Sequence, residues 1–354
     1  MNVVVDVAAP EDDAGIRGLM RRQAMPGRVR MAFCREPDFS IGCAATGMDY
    51  RILVARAAER GEIVGVACRS TRRVFLDGRA QRIGYLGQLR VDERFRGRWL
   101  VARGFSMLQQ IDREDPLPCY LASIVDGNAE ATGVLVGTPR RSFPSFREVA
   151  AYRTLAIRTR RPRASLPGPE TIAPLSEEHI PDLVRFLHVE GARYQLFTVW
   201  TEDAIRRLGT LGLRLDDILI AERDGEIVGT AALWDQSAYK QSVVQGYTGW
   251  LRLCAPFLPR AGHHIRSAYA SLVCVANDDE RVLARLLREV YNRAVARRFD
   301  YLVVGLDARD PALAVVRRYP HVSYPSRLYL GSWPNGGFAH VEPDGLSRVD
   351  VGTL

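Results

Sequence analysis

The string Arg90-Val91-Asp92-Glu93-Arg94-Phe95-Arg96-Gly97-Arg98-Trp99-Leu100-Val101 joins the end of an apolar run to the start of a helical one. The first N–H groups of a helix have no partner within it and point one way, and the helix dipole adds partial positive charge there. A diphosphate accepts those hydrogen bonds, and glycine lets it come close. Trp99 and Val101 stand where further glycines would ease that approach. Both still carry an N–H, and a turn that is helical from about Trp99 demands no left-handed dihedral of either. Arg94, Arg96 and Arg98 can neutralise phosphate oxygens. The turn is expected to hold a diphosphate; the opposing reading is a solvated basic turn whose binding has decayed.

Other chemistry-bearing patterns are sparse. His263 and His264 are adjacent, a spacing that rarely converges on one metal, and no further ligand follows at useful distance, so no metal site is expected. No Gly-x-x-x-x-Gly-Lys-Ser/Thr string occurs, which excludes a P-loop nucleotidase, and no Gly-x-Ser-x-Gly elbow marks a hydrolase. The six cysteines, at 34, 43, 68, 119, 254 and 274, form no C-x-x-C pair, which suggests reduced, buried thiols in a cytoplasmic protein. Trp200, Trp234 and Trp250 are expected in the core. Basic residues are almost all arginine, with Lys240 the single lysine, a bias that reads as composition rather than function.

The elements that would position these residues come twice. ILVARAAERGEIVGVA (52–67) resembles ILIAERDGEIVGTA (218–231), each an apolar run, a polar turn and the same Gly-Glu-Ile-Val-Gly string. Both read as β-hairpins. Acidic helix starts precede them, at 10–23 and 176–190. A strand follows each, at 83–91 and 270–276. Next comes a helix with an apolar stripe: Leu100, Val101, Phe105, Leu108 and Ile111 in one half, Val282, Leu283, Leu286, Leu287, Val290, Tyr291, Ala294 and Val295 in the other. A further strand (119–125; 301–306) and a helix-like segment (128–136; 310–319) close each half. In the first strand Tyr85, Gly87, Leu89 and Val91 share a face.

A length of 354 residues fits two domains, 1–157 and 171–354, with the Pro- and Gly-bearing stretch 158–170 as linker. An apolar fraction of 47% suits packed cores, and a net charge of +8 favours acidic ligands. No apolar run approaches the roughly 20 residues that span a bilayer. The start turns acidic at once and is not expected to be a secretory signal.

Leu89–Arg98 resembles the acyl-CoA-binding segment of the GCN5-related N-acetyltransferases, where a strand, an Arg-Gly-x-Gly-x-Gly turn and a helix follow one another. Arg96 and Gly97 match that turn; Asn128-Ala129-Glu130-Ala131 resembles the family's Asn-x-x-Ala helix start. The resemblance implies an α/β fold with a mixed sheet, as two tandem acyl-CoA N-acyltransferase-like domains. It implies acetyl-CoA or another acyl-CoA as co-substrate, held by Leu89, Arg90, Val91, Arg96, Gly97, Arg98, Trp99, Leu100, Val101 and Asn128. The acyl carbonyl would meet a main-chain N–H near Leu89 and Val91. A base is implied near Tyr85 or Gly87, although tyrosine, with a pKa near 10, needs a water relay; Asp126 is the fallback, or else a helix cap. The family's thiolate-protonating tyrosine falls on Leu135, which cannot donate. Segment 31–40, with Arg35 and Phe39, would cover the acceptor, or else pack between the halves. The second half has Asn277-Asp278-Asp279-Glu280-Arg281 at the equivalent turn, too acidic for phosphate, and is expected not to bind cofactor. The implied activity is acyl transfer to a small amine or amino acid. The alternatives are a non-catalytic acyl-CoA sensor or partner-binding protein, and an aminoacyl-tRNA-dependent transferase that would use the basic linker. Neither a metal nor a membrane is expected.

Overall fold

The computed structural model describes residues 3–25, 27, 29–59, 61–136, 143–252, 258–334 and 345–354; Cys254 and the side chains of Arg98, Trp250 and Leu251 lie outside what is described. In the first half the strands are β1 (Val3–Val7), β2 (Val29–Cys34), β3 (Asp49–Ala57), β4 (Ile63–Leu76), β5 (Arg79–Val91), β6 (Tyr120–Val125) and β7 (Ser145–Arg158). In the second they are β8 (Thr171–Pro174), β9 (Ile218–Arg223), β10 (Glu226–Trp234), β11 (Gln241–Tyr247), β12 (His264–Ile265), β13 (Ser267–Val275), β14 (Tyr301–Asp307) and β15 (His321–Ser332). The helices are α1 (Asp13–Arg22), α2 (Phe39–Ala44), α3 (Arg98–Glu114), α4 (Ala129–Leu135), α5 (Ile180–Gly191), α6 (Glu202–Arg207), α7 (Glu280–Ala296) and α8 (Leu313–Val316).

Twelve of these strands form one mixed sheet in the order β1-β3-β4-β5-β6-β15-β7-β14-β13-β10-β9-β8. The two halves repeat the same pairings, but each gives its last strand to the other. β15 lies beside β6 of the first half, β7 lies beside β14 of the second, and β7 and β15 pair along the centre. A second sheet of three strands, β12-β11-β2, also joins the halves, with Cys34 opposite Gln241. Segment 31–40 is therefore the end of β2, a short connection and the start of α2.

The repeated Gly-Glu-Ile-Val-Gly string has a local explanation. Its first glycine makes the hairpin turn at positive φ, 65° at Gly61 and 79° at Gly225. Its last glycine lies under the crossing helix: a Cβ on Gly229 would be 2.8 Å from Val282 Cγ1, and one on Gly65 would be 3.9 Å from Leu100 Cδ2. Helices α3 and α7 then bury the expected stripes. Val282, Leu283, Leu286, Leu287, Val290, Tyr291 and Ala294 enter one core with strands of the second half. Ile16, Leu19, Met20, Phe39 and Cys43 pack on β3 and β4.

The stretch after β7 is docked, not free. Tyr291 donates to the Arg161 carbonyl at 3.0 Å, Asn292 donates to the Arg163 carbonyl and accepts from its N–H, and buried Glu170 pairs with Arg223 and Arg285. Trp200 and Trp234 are buried, as are the thiols of Cys34, Cys43, Cys68, Cys119 and Cys274. Among the described residues no helix is long and apolar enough to cross a membrane, and no three His, Cys, Asp or Glu side chains cluster to hold a metal.

Candidate functional site

Two forks interrupt the large sheet. β5 and β6 run parallel and in register only over Gly84–Leu86 and Tyr120–Ala122. β13 and β14 do the same over Ser267–Tyr269 and Tyr301–Val303. Beyond these positions each pair diverges. At the same place the antiparallel register on the other side slips by one residue, between Val66 and Cys68 in one half and between Thr230 and Ala232 in the other. The extra residue takes positive φ, 59° at Gln88 and 53° at Leu272. Such a bulge leaves a strand residue out of the ladder and re-aims its amide. Gln88 and Leu272 are equivalent positions.

In the second half the fork is filled by the protein itself. Residues 345–354 run into it, and Asp350 is the ligand: Oδ2 accepts the bulge amide of Leu272 at 2.9 Å, and Oδ1 accepts Ser271 Oγ at 2.9 Å and the Gly352 amide at 2.8 Å. A cavity of only 30 Å³ remains beside Ala270, Gly305 and Asp350, too small for a ligand larger than a few waters. The start of α7 is filled likewise. Asp279 accepts the amides of Arg281 at 2.9 Å and Val282 at 3.3 Å. Both oxygen-holding positions of this half carry one of the protein's own carboxylates.

In the first half neither does. Among the described residues no side chain accepts from the main chain of Gln88 or Leu89, and α3 has no side-chain cap and no acidic residue in its first turn. Gly97 is its N-cap residue. The Trp99 indole lies back against the Gly97 α-carbon, where a Cβ would meet its ring at 3.2 Å, and Arg103 stacks over it at 5.5 Å. Trp99 is 41% exposed, Leu89 48% exposed, Leu100 buried and Val101 half-buried. Arg96 reaches across to Glu130 of α4 at 3.2 Å. Arg94 is held by Asp92 and Glu62, away from the helix start.

Asn128 caps α4, accepting the Ala131 amide at 3.1 Å. Arg90 folds back on the Leu89 carbonyl at 2.7 Å, and Val91 is half-buried. Tyr85 is buried with its hydroxyl over Gly87, where a Cβ would lie 3.2 Å away; burial raises its pKa, and the Arg72 guanidinium 4.4 Å above the ring offsets this in part. Asp126 is bound by Arg327 at 3.0 Å on the β15 side, and shares no partner with Tyr85. Phe39 lies in the core among Ile16, Leu19 and Met20, with no surface to offer a ligand. Arg35 does reach the fork, donating to Gln88 Oε1 at 2.8 Å.

No protein-family model matches the sequence, and no curated protein matches it. Solved structures are similar over nearly the whole chain. Saccharomyces cerevisiae N-myristoyltransferase with bound myristoyl-CoA aligns at TM-score 0.66 and 11% identity, covering 93% of this chain and 78% of that one. A GCN5-related N-acetyltransferase from Sphaerobacter thermophilus aligns at TM-score 0.61 and 17% identity, covering 93% and 95%. A GCN5-related glucosamine N-acetyltransferase region of a fungal multi-domain GH3 β-N-acetylglucosaminidase aligns at TM-score 0.63 and 14% identity, covering 94% of this chain and 38% of that one. This chain has the GCN5-related N-acetyltransferase fold.

Within that fold, sequence reasoning singled out Arg35 but missed Arg72 and Lys240, which lie with it behind the first fork. Arg35 and Arg72 are 4% and 5% exposed, and neither pairs with a carboxylate side chain among the described residues. Lys240 lies 4.4 Å from the Tyr269 ring centre, and burial, with Arg35 nearby, lowers its pKa to about 7. Arg72 is likewise lowered to about 10 by burial. For Lys240 the one signal in the sequence was that it is the single lysine of an arginine-rich chain.

Proposed function

We propose that the chain is an acyl-CoA-dependent N-acyltransferase whose first half binds the acyl-CoA and whose acceptor is the amine of a small molecule or amino acid. The observation that supports this is the asymmetry of the carboxylates. Asp350 and Asp279 occupy the bulge amide and the helix start of the second half, and among the described residues no side chain does so at Gln88 or at Gly97. A bulge amide that holds a carboxylate oxygen at 2.9 Å in one half can hold a thioester oxygen in the other. A helix start that binds a carboxylate in one half can bind a diphosphate in the other. The bound ligand of the similar yeast N-myristoyltransferase, myristoyl-CoA, fits the same reading.

In this proposal the main-chain amides of Gly97 to Val101, with Arg96, meet the diphosphate. The Nδ2 of Asn128, left over from its capping role, donates to the cofactor. The acceptor nitrogen attacks the thioester carbon, a C–N bond forms, and the carbonyl oxygen turns to the Gln88 amide. The C–S bond then breaks and the thiolate leaves. Burial keeps the Tyr85 hydroxyl protonated, so it serves as proton donor to that thiolate rather than as base, and the surplus proton of the new amide nitrogen returns through water to the tyrosine oxygen. Asp126 is committed to Arg327. The acceptor enters as free amine, and positioning carries the rate.

Titration calorimetry with acetyl-CoA and longer acyl-CoAs, followed by thiol release with a panel of amines, tests the reading. Binding without release favours the sensor, and salt-sensitive tRNA binding without acyl-CoA binding favours the tRNA-dependent transferase. A sharper test copies the second half into the first. Gly97→Asp is expected to cap α3, changing stability by no more than about 0.5 kcal/mol once the Trp99 ring gives way, and to fill the cradle. Acyl-CoA affinity is expected to fall at least about tenfold. Unchanged affinity in a folded Gly97→Asp protein would overturn the proposal.

A further inference from the structure

Behind the first fork three cations converge from both halves. Arg35 follows β2, Arg72 lies on β4 and Lys240 precedes β11. The small sheet brings the first and last together: Cys34 is opposite Gln241, and Gln241 bonds the Glu36 main chain in both directions, at 3.0 Å and 2.9 Å. The last residues bring the other two together. Arg72 donates to Thr353 Oγ1 at 3.1 Å and to its carbonyl at 2.9 Å, while Lys240 Nζ donates to the Leu354 main-chain oxygen at 3.4 Å. Arg35 ties the group to the bulge through Gln88.

Among the described residues no carboxylate side chain pairs directly with these cations, although the charge of Asp350 acts on Arg72 and Lys240 from a distance. Glu36 points away to Arg17 and Arg21. Asp350 already accepts from Ser271, Leu272 and Gly352. Arg72 Nε is buried with no hydrogen-bond partner. The Tyr269 hydroxyl makes no hydrogen bond among the described residues. One carboxylate at a distance does not balance three cations, and a buried guanidinium with no direct ion pair is costly. Pre-placed donors around an absent negative charge are how a site recognises an anion.

We propose that Arg35, Arg72 and Lys240, with the Tyr269 hydroxyl, form a binding site for a carboxylate carried by the acceptor. The acceptor is then an amino acid or another amine bearing an acid group, its carboxylate held behind the bulge and its nitrogen turned to the thioester. This rests on the acyltransferase reading for the identity of the ligand as acceptor, but the anion site itself does not. The lowered pKa values of Lys240 and Arg72 agree with it, because an arriving carboxylate restores the charged forms.

Lys240 is the chain's only lysine, so its modification reports on the site directly. The full-length protein is treated with the uncharged reagent N-hydroxysuccinimidyl acetate, and acetylation of Lys240 is followed by peptide mass spectrometry. Acetate, propionate, benzoate and succinate are added at constant ionic strength, each against its amide. At least one carboxylate is expected to slow labelling about fivefold or more in the millimolar range, its amide leaving the rate unchanged. Arg72→Met and Arg35→Met are expected to remove that protection. Equal protection by acid and amide, or none, in the wild-type protein overturns the site, whether or not the variants fold. Protection in a protein that calorimetry shows not to bind acyl-CoA would retain the anion site and discard the acyltransferase. Turnover that favours amines lacking an acid group over their carboxylated counterparts would overturn the acceptor assignment and leave the transferase standing.

Discussion

Lys240 faces Arg35 after β2, Tyr269 on β13, and Asp350 and the Leu354 carbonyl from the final segment. Its ordinary pKa of 10.5 falls to about 7 in the folded chain, burial being the larger cause. Between those values the unfolded chain binds a proton here that the folded one does not. Stability therefore rises with pH across that window through this group. Buried thiols pull the other way above their ordinary range, since burial pushes Cys119 and Cys274 up to about 12. The wild type must be compared with Lys240→Met to cancel them. In urea melts the variant is expected to be the more stable at about pH 6, an advantage that shrinks by about pH 9. An advantage that does not vary with pH would mean that Lys240 titrates normally. At this scale the sequence was half legible. Arg96, Gly97 and the turn were visible because they are contiguous. The charge group was not, since Arg35 and Lys240 are brought together by a pairing of β2 with β11 that no local pattern announces. Phe39 shows the reverse: an aromatic in a segment expected at the acceptor turned out to be core.

The hairpins, the strands that follow them and the long helices were readable from alternation, from apolar stripes and from the repeated glycine string. That string also makes a prediction at the scale of elements. Gly229→Ala places a Cβ 2.8 Å from Val282 Cγ1 and 2.9 Å from Leu286 Cδ1, so these side chains must repack or α7 must shift. A loss of about 1–3 kcal/mol is expected in thermal or denaturant melts. Gly104→Ala, in α3 with open space around its Cα, is expected to gain up to about 1 kcal/mol instead. Equal effects would mean that helix propensity, not helix–sheet approach, sets the response. β7 and β15 were not legible. β15 carries Pro325, which argues against a central strand, yet Pro325 faces Arg153 there. β7 interleaves Arg147, Glu148, Arg153 and Arg158 with apolar residues, and its charges masked it. The fork could not be foreseen as two forks with different fates, because Asp350 reaches Leu272 across 78 positions.

Across the whole molecule, the exchange of β7 and β15 ties the halves into one sheet. Heating is expected to unfold them together, with calorimetric and van't Hoff enthalpies in agreement. A fragment of residues 1–157 is expected to lack fixed tertiary structure, since β6 has lost β15 and β7 has lost both neighbours. Two separate transitions, or a dispersed NMR spectrum from the fragment, would contradict this. The resemblance seen in the sequence predicted the fold of each half but not their interlacing, since both central strands are local in sequence and foreign in partner.

That interlacing also bears on how the chain is made. Tyr120–Val125 leaves the ribosome about 200 residues before its neighbour Ser326–Gly331, and waits with a bare hydrogen-bonding edge. Contacts so far apart close slowly, and nascent strands of this kind are where chaperones bind and aggregates begin.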